Sequence, residues 1–116
     1  MKEQAEVIDP GFSIADGEHV SYSYDGEFLM FQFTDWTEKT IVVKCSSVIG
    51  FKYQWATGEC LADERFDSTH LIHNSKWLLA HQKQGDGSKD QGWSHFKLNF
   101  NAAGVMEVLC KKMEVI

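Results

Sequence analysis

Proline is nearly missing from this chain: Pro10 is the only one in 116 residues, beside nine glycines. That excludes collagen-like sequence and Pro/Gly-rich linkers. Basic residues are also in short supply, with 11 Lys and Arg against 17 Asp and Glu, a net charge of −6. The lysines at 76, 83, 89, 97, 111 and 112 are scattered along the chain, so the basic groove that nucleic acid needs is not expected. Long hydrophobic runs are absent. None approaches the roughly 18 apolar residues of a membrane span, so no membrane partner is expected. Residues 1–6 are charged and carry no apolar core of a signal peptide, which makes the cytoplasm the expected location.

Cysteine is sparse and odd in number: Cys45, Cys60 and Cys110. No pair has metal-ligand spacing, and a disulfide-stapled secreted domain usually shows an even set. Cys60 follows Glu59 and precedes Asp63 and Glu64, neighbours that disfavour a thiolate, so a cysteine nucleophile is not expected. Cys45 and Cys110 read as small core hydrophobes. No metal and no cofactor is called for.

What is present is ample apolar material. Apolar residues make up 43% and aromatic residues 13% of the chain. That is enough for one core and no more, so residues 1–116 form a single domain. Its first part is acidic: residues 1–27 hold seven carboxylates against Lys2, and the remainder is neutral. An acidic segment over 1–18 therefore precedes a β core over 19–116.

In that core the hydrophobic period is two. Val20, Tyr22 and Tyr24 alternate with polar residues up to Asp25-Gly26, the strongest short hairpin signal. A two-residue turn would set Tyr22 against Leu29 and Val20 against Phe31. Val20, Tyr22, Leu29, Phe31 and Phe33 then face the core, and Phe28 and Met30 lie on a mixed face open to a partner. Residues 35–38 read as a turn, and Ile41, Val43 and Cys45 as one face of the next strand. Ile49, Phe51, Tyr53 and Trp55 share a face of another, all four inward. Residues 60–65 are an irregular loop or a single helical turn. Residues 66–73 and 76–82 read as a second hairpin around Asn74-Ser75, and 83–92 as a hydrophilic loop. Trp93 to Phe100 is a strand with Phe96, Leu98 and Phe100 inward and Trp93, His95, Lys97 and Asn99 outward. Residues 102–113 form a helix capped by Asn101 or, alternatively, a turn followed by a strand over 105–110; Gly104 and the valines favour the strand.

The expected fold is therefore all-β: an antiparallel meander of seven or eight strands, as a sandwich or partly open barrel. The alternative is an α+β small barrel with a C-terminal helix.

Several side-chain groups are candidates for chemistry. In the second hairpin, His70 and His81 become diagonal neighbours on one face, while Asp67 and His73 point to the other. Two histidines without a carboxylate fall short of a metal site. His19 and His95 sit at outward positions with no nucleophile motif nearby. The Gly85-Asp86-Gly87-Ser88 stretch lacks the strand-to-helix setting of a phosphate loop and reads as a turn. Trp36 at a strand end, Trp93 on an outer face and Trp77 are candidate contacts, because exposed tryptophan marks binding surfaces.

The order strand, Asp25-Gly26, alternating strand, Asp35-Trp36, Thr40-Ile41-Val42-Val43, Val48-Ile49-Gly50-Phe51 resembles small bacterial all-β proteins, some of which accompany toxins as immunity proteins. The likeness covers about a third of the chain. It implies a non-catalytic protein that works by binding. The acidic N-terminal part suits a basic partner, since opposite charge speeds encounter. The leading expectation is thus a protein-binding domain, not an enzyme, acting on another protein or as a homodimer through Phe28, Met30, Trp36, Trp77, Trp93, His70 and His81. The alternatives are a small-molecule-binding β-barrel and a histidine-dependent hydrolase or metal enzyme.

Overall fold

The computed structural model describes residues 2–55, 61–84, 92–100 and 103–116. Among these, nine strands and one helix follow in the order β1 (Gln4–Ile8), β2 (Glu18–Tyr24), β3 (Leu29–Thr34), β4 (Thr40–Ser46), β5 (Gly50–Gln54), β6 (Ser68–His73), α1 (Lys76–Lys83), β7 (Ser94–Phe100), β8 (Gly104–Cys110) and β9 (Lys112–Val115). They build two antiparallel sheets, one ordered β1-β6-β7-β8-β5 and the other β2-β3-β4-β9. The fold is a mostly-β sandwich with no closed barrel, and its strand order is not a simple meander. β1 and β9, which the sequence reading left out, each add an edge strand.

The core lies where the two sheets face each other. Leu29, Phe31 and Phe33 of β3 and Val43 and Cys45 of β4 meet Leu98 and Phe100 of β7 and Met106, Val108 and Cys110 of β8. The two-residue alternation places them there, since successive side chains of a strand point to opposite faces. Phe12 and Ile14, from the segment between β1 and β2, close one end of the core, Phe12 packing edge-on against Phe31 with ring centres 6.3 Å apart.

In the first hairpin Tyr24 pairs with Leu29 and Tyr22 with Phe31. The turn thus spans four residues, two more than a tight Asp-Gly turn. The Asp25 carboxylate accepts from the backbone N–H of both Glu27 (2.9 Å) and Phe28 (2.8 Å) and so stabilises the wider loop. A shift of two residues leaves every side chain on its expected face. Tyr22 is nevertheless half exposed, because β2 is an edge strand. It covers the margin of the opposite sheet, 4.9 Å from the Phe51 ring and 5.8 Å from that of Tyr53.

Residues 76–82 are not a strand. Ser75 caps α1: its hydroxyl oxygen accepts from the Leu78 N–H at 3.1 Å. Lys, Leu, Ala and Gln, all good helix formers, fill six of the helix's eight positions. The second hairpin does not exist, and β6 pairs with β1 and β7 instead. At the C-terminal end, Gly104 opens β8 with φ +91°, and a Cβ there would lie 2.4 Å from the Gln54 carbonyl oxygen. The close approach of β5 accounts for this glycine and favours the strand over a helix.

Candidate functional site

Two regions of the sandwich bring chemically active side chains together. The first lies at one end, where the chain enters β2 and where β3 turns into β4. His19 and Val20 together oppose Phe33, since Glu18 pairs with Thr34 and Ser21 with Gln32. This is a β-bulge, with His19 in the left-handed region at φ 55°; bulges re-aim side chains at the rims of sheets. Asp16 and Glu38 also have positive φ. The Asp35 carboxylate organises the β3–β4 turn, accepting from the Thr37 hydroxyl (2.6 Å), the Thr37 N–H (2.9 Å) and the Lys39 N–H (3.0 Å). The Thr37 hydrogen bond, helped by the two amides, holds the Asp35 pKa below the usual carboxylate value.

These segments line a depression of about 400 Å³ walled by Asp16, Glu18, His19, Asp35, Trp36 and Glu38. An adjoining depression of about 300 Å³ shares Glu18 and His19 and is bounded by Val20, Tyr53 and Trp55. Trp36 is 65% and Trp55 74% exposed. Trp36 thus sits on a surface, as its turn position implied. Trp55 corrects the expectation of a core residue: β5 ends at Gln54, so its alternation no longer governs position 55. Four carboxylates and two open indoles, with no Lys or Arg among the described residues lining either depression, form a surface suited to cations, which carboxylates attract and indole faces accept.

The second region covers the outer face of the β1-β6-β7-β8-β5 sheet. His95, Lys97 and Asn99 of β7 do point away from the core, as expected, yet all three are buried. α1 and the 61–66 segment lie over them. Ser75 Oγ and His95 Nδ1 are 2.6 Å apart, and His95 Nε2 and Glu107 Oε1 2.8 Å. With a neutral imidazole, Nε2–H donates to the carboxylate and the serine hydroxyl donates to Nδ1. Burial acts to raise the Glu107 pKa, but the His95 hydrogen bond and the charges of Lys97 and Lys52 outweigh it, and the net shift is downward.

Serine, histidine and glutamate in series are the components of a hydrolase relay. Here the serine is not placed as a nucleophile. Ser75 is 4% exposed, and its oxygen already accepts from Leu78 as the helix cap. It is not among the residues that line the neighbouring cleft of about 340 Å³, whose walls include Lys52, Glu64, Trp77, His95, Lys97 and Glu107. The relay therefore serves to fasten α1 to the sheet. Trp77 adds to that attachment. Its ring centre lies 5.3 Å from that of His95, Lys52 Nζ sits 4.1 Å over it, and Gly50 leaves it room.

Beside it, Lys97 Nζ meets Glu64 at 3.0 Å, and Asn99 Nδ2 donates to the same carboxylate at 3.0 Å. The Leu61 N–H donates to it at 2.5 Å. Burial works to raise the Glu64 pKa, but the hydrogen bonds from Asn99, Leu61 and Lys97 lower it below the ordinary value. His70 completes this network. Its Nε2 accepts from the Arg65 N–H at 3.0 Å and its Nδ1 faces the Lys97 carbonyl at 3.3 Å. Burial, the largest influence, keeps its pKa below the usual histidine value and the ring neutral.

The remaining expected contacts are dispersed. His70 is wholly buried and His81 lies on α1, 6.0 Å from Trp77 between ring centres, so the two are not diagonal strand neighbours. His73 pairs with Glu6 at 2.8 Å. Phe28 lies under Lys44, 4.1 Å from ammonium to ring centre. Met30 helps to line a shallow depression on the outer face of β2, β3 and β4. Trp93 is half-buried, its indole N–H donating to the Ser47 carbonyl at 2.8 Å. The structure thus does not bring Phe28, Met30, Trp36, Trp77, Trp93, His70 and His81 into one surface. Among the described residues no three His, Cys, Asp or Glu side chains are grouped to hold a metal ion. No helix among them is long and apolar enough to cross a membrane. Cys60 and the Gly85–Ser88 stretch lie outside the described residues.

The chain matches no protein-family model, no curated protein and no solved structure.

Sequence reasoning missed three contributors to these sites. Trp55 was hidden by its phase with Phe51 and Tyr53. Glu64 has no local pattern that ties it to Lys97. Ser75 carried a legible signal, a serine just before Lys-Trp-Leu-Leu-Ala, which reads as a helix cap when the turn chemistry of Asn-Ser is weighed against it.

Proposed function

We propose that this chain is a non-catalytic protein-binding domain whose contact surface is the acidic end bearing Trp36 and Trp55, and whose partner presents Lys or Arg there. The observation that carries the reading is the pair of open indoles around Glu18 and His19, bounded by Asp16, Asp35 and Glu38. Exposed tryptophans supply rigid contact area, and they dominate the energetics of protein interfaces. The carboxylates add attraction for a basic partner, which accelerates encounter and rejects acidic competitors. A chain of net charge −6 with seven carboxylates in its first 27 residues extends that attraction beyond the site. An immunity-like role toward a basic protein is one instance of this function.

The test is calorimetric titration with short arginine-tryptophan or arginine-leucine peptides and with glutamate-containing counterparts. Basic peptides should bind, with affinity falling steeply as salt is raised. Trp36→Ala and Trp55→Ala together should weaken that binding by at least tenfold while leaving the melting transition in place. Equal affinity for acidic and basic peptides, or unchanged binding in the double variant, refutes the assignment.

A further inference from the structure

We propose that the cleft on the outer face of the larger sheet, beside α1, binds a free α-amino acid with an apolar side chain. This site is separate from the acidic end that bears Trp36 and Trp55. Strand register builds its floor. Lys52 of β5 pairs with Glu107 of β8, and Glu107 pairs in turn with Lys97 of β7. Directly opposed residues on neighbouring strands share one face, so the three make a row of alternating charge. Lys76 at the start of α1 and Glu3, just before β1, stand at the same cleft, and Leu61, Ile72 and Trp77 supply its apolar walls.

The charges of this cleft are not all matched within the chain. Lys97 is neutralised by Glu64 at 3.0 Å. Lys52 Nζ stands over Trp77, 4.1 Å from the ring centre, and Lys76 touches Glu3 only through its backbone N–H, at 3.0 Å. Among the described residues neither of these two ammoniums has a carboxylate partner. Glu107 uses Oε1 for His95 at 2.8 Å, and no described donor reaches its second oxygen. Glu3 likewise engages one oxygen, with the Lys76 N–H.

Two ammoniums and two carboxylates with spare hydrogen-bonding capacity thus face one cleft. A simple anion there would be repelled by Glu3 and Glu107, and a simple cation by Lys52 and Lys76. A molecule with a carboxylate and an ammonium on one carbon satisfies both sets. Its carboxylate accepts from the lysines, and its ammonium donates to the open glutamate oxygens. The indole under Lys52 and the His95 hydrogen bond to Glu107 hold these groups in place beforehand, so little order has to be created on binding. The cleft holds about 340 Å³, at the lower end of the roughly 300–1,000 Å³ of small-molecule sites, which suits an amino acid better than a nucleotide. Leu61, Ile72 and Trp77 then favour an apolar side chain.

The experiment titrates the full isotope-labelled chain with L-leucine, followed by NMR and calorimetry. Leucine should bind at millimolar concentration or below, shifting the indole N–H resonance of Trp77 and leaving those of Trp36 and Trp55 in place. Isocaproate, which is leucine without its ammonium, and isoamylamine, which is leucine without its carboxylate, should each bind at least tenfold more weakly, since each leaves site charges unpaired. Lys52 is exposed, so Lys52→Met should keep the urea midpoint while weakening leucine binding at least tenfold. Glu107→Gln, which retains an acceptor for His95, should narrow the gap between leucine and isocaproate. No Trp77 shift at millimolar leucine, shifts confined to Trp36 and Trp55, equal binding of leucine and either analogue, full leucine affinity in Lys52→Met, or an unchanged gap in Glu107→Gln overturns the proposal.

Discussion

Lys97→Met should expose how much the outer face of the larger sheet depends on one buried ion pair. The Glu64 side chain is 2% exposed and that of Lys97 11%. Removing the ammonium leaves a desolvated carboxylate with hydrogen bonds from Asn99 and Leu61 and no opposite charge. Breaking a buried pair from one side costs about 3–5 kcal/mol. The two surviving hydrogen bonds place this case at about 3 kcal/mol. Against a total stability of roughly 6–17 kcal/mol for a chain of this length, the loss is large but survivable. With a urea slope near 2 kcal/mol per molar, the midpoint should fall by about 1.5 M at pH 7.

Acid provides the control. The folded pKa of Glu64 lies below its ordinary value in the native protein, so its contribution is present above the ordinary carboxylate pKa and lost as pH falls through the depressed one. In Lys97→Met the same carboxyl gains a proton more readily on folding. The gap between variant and native protein should therefore narrow as pH drops below about 4.5. Lys97→Met with Glu64→Gln, which removes the charge and keeps an acceptor, should recover much of the loss. A midpoint shift under about 0.3 M at pH 7, or a gap of the same size at pH 4, would refute the claim that this pair is desolvated and charged.

Other expectations follow from the same contacts. Ser75→Ala removes the cap of α1 and the partner of His95 Nδ1, and should cost about 1–3 kcal/mol by urea titration, with faster hydrogen exchange at the Leu78 amide. Gly104→Ala meets both a left-handed φ and the Gln54 carbonyl, and should lose more than about 2 kcal/mol of stability. Trp55→Ser, in contrast, should leave urea stability within about 0.5 kcal/mol of the parent while weakening the binding of basic peptides; a large stability loss would mean that Trp55 is packed after all. Glu107→Gln should flatten the acid limb of the stability profile, since the depressed Glu107 pKa contributes stability only above the ordinary carboxylate range.

Period-two alternation sufficed for Leu29, Phe31 and Phe33, for Val43 and Cys45, and for Leu98 and Phe100, because the pleat sends alternate side chains to opposite faces whatever their distant partners are. The C-terminal strand was legible from Gly104 and the valines. The 35–38 turn and the surface position of Trp36 were legible from local turn chemistry.

Tertiary contacts decided the rest. Whether 76–82 became strand or helix turned on a serine cap and on a sheet face available to receive Trp77. That His95, Lys97 and Asn99 point outward was written in the strand, but that they are buried was not, because α1 and the 61–66 segment that cover them come from elsewhere in the chain. Glu64 found Lys97 across a separation that no local period encodes. Alternation specifies which way a side chain points; only the packing of distant segments specifies what it meets there.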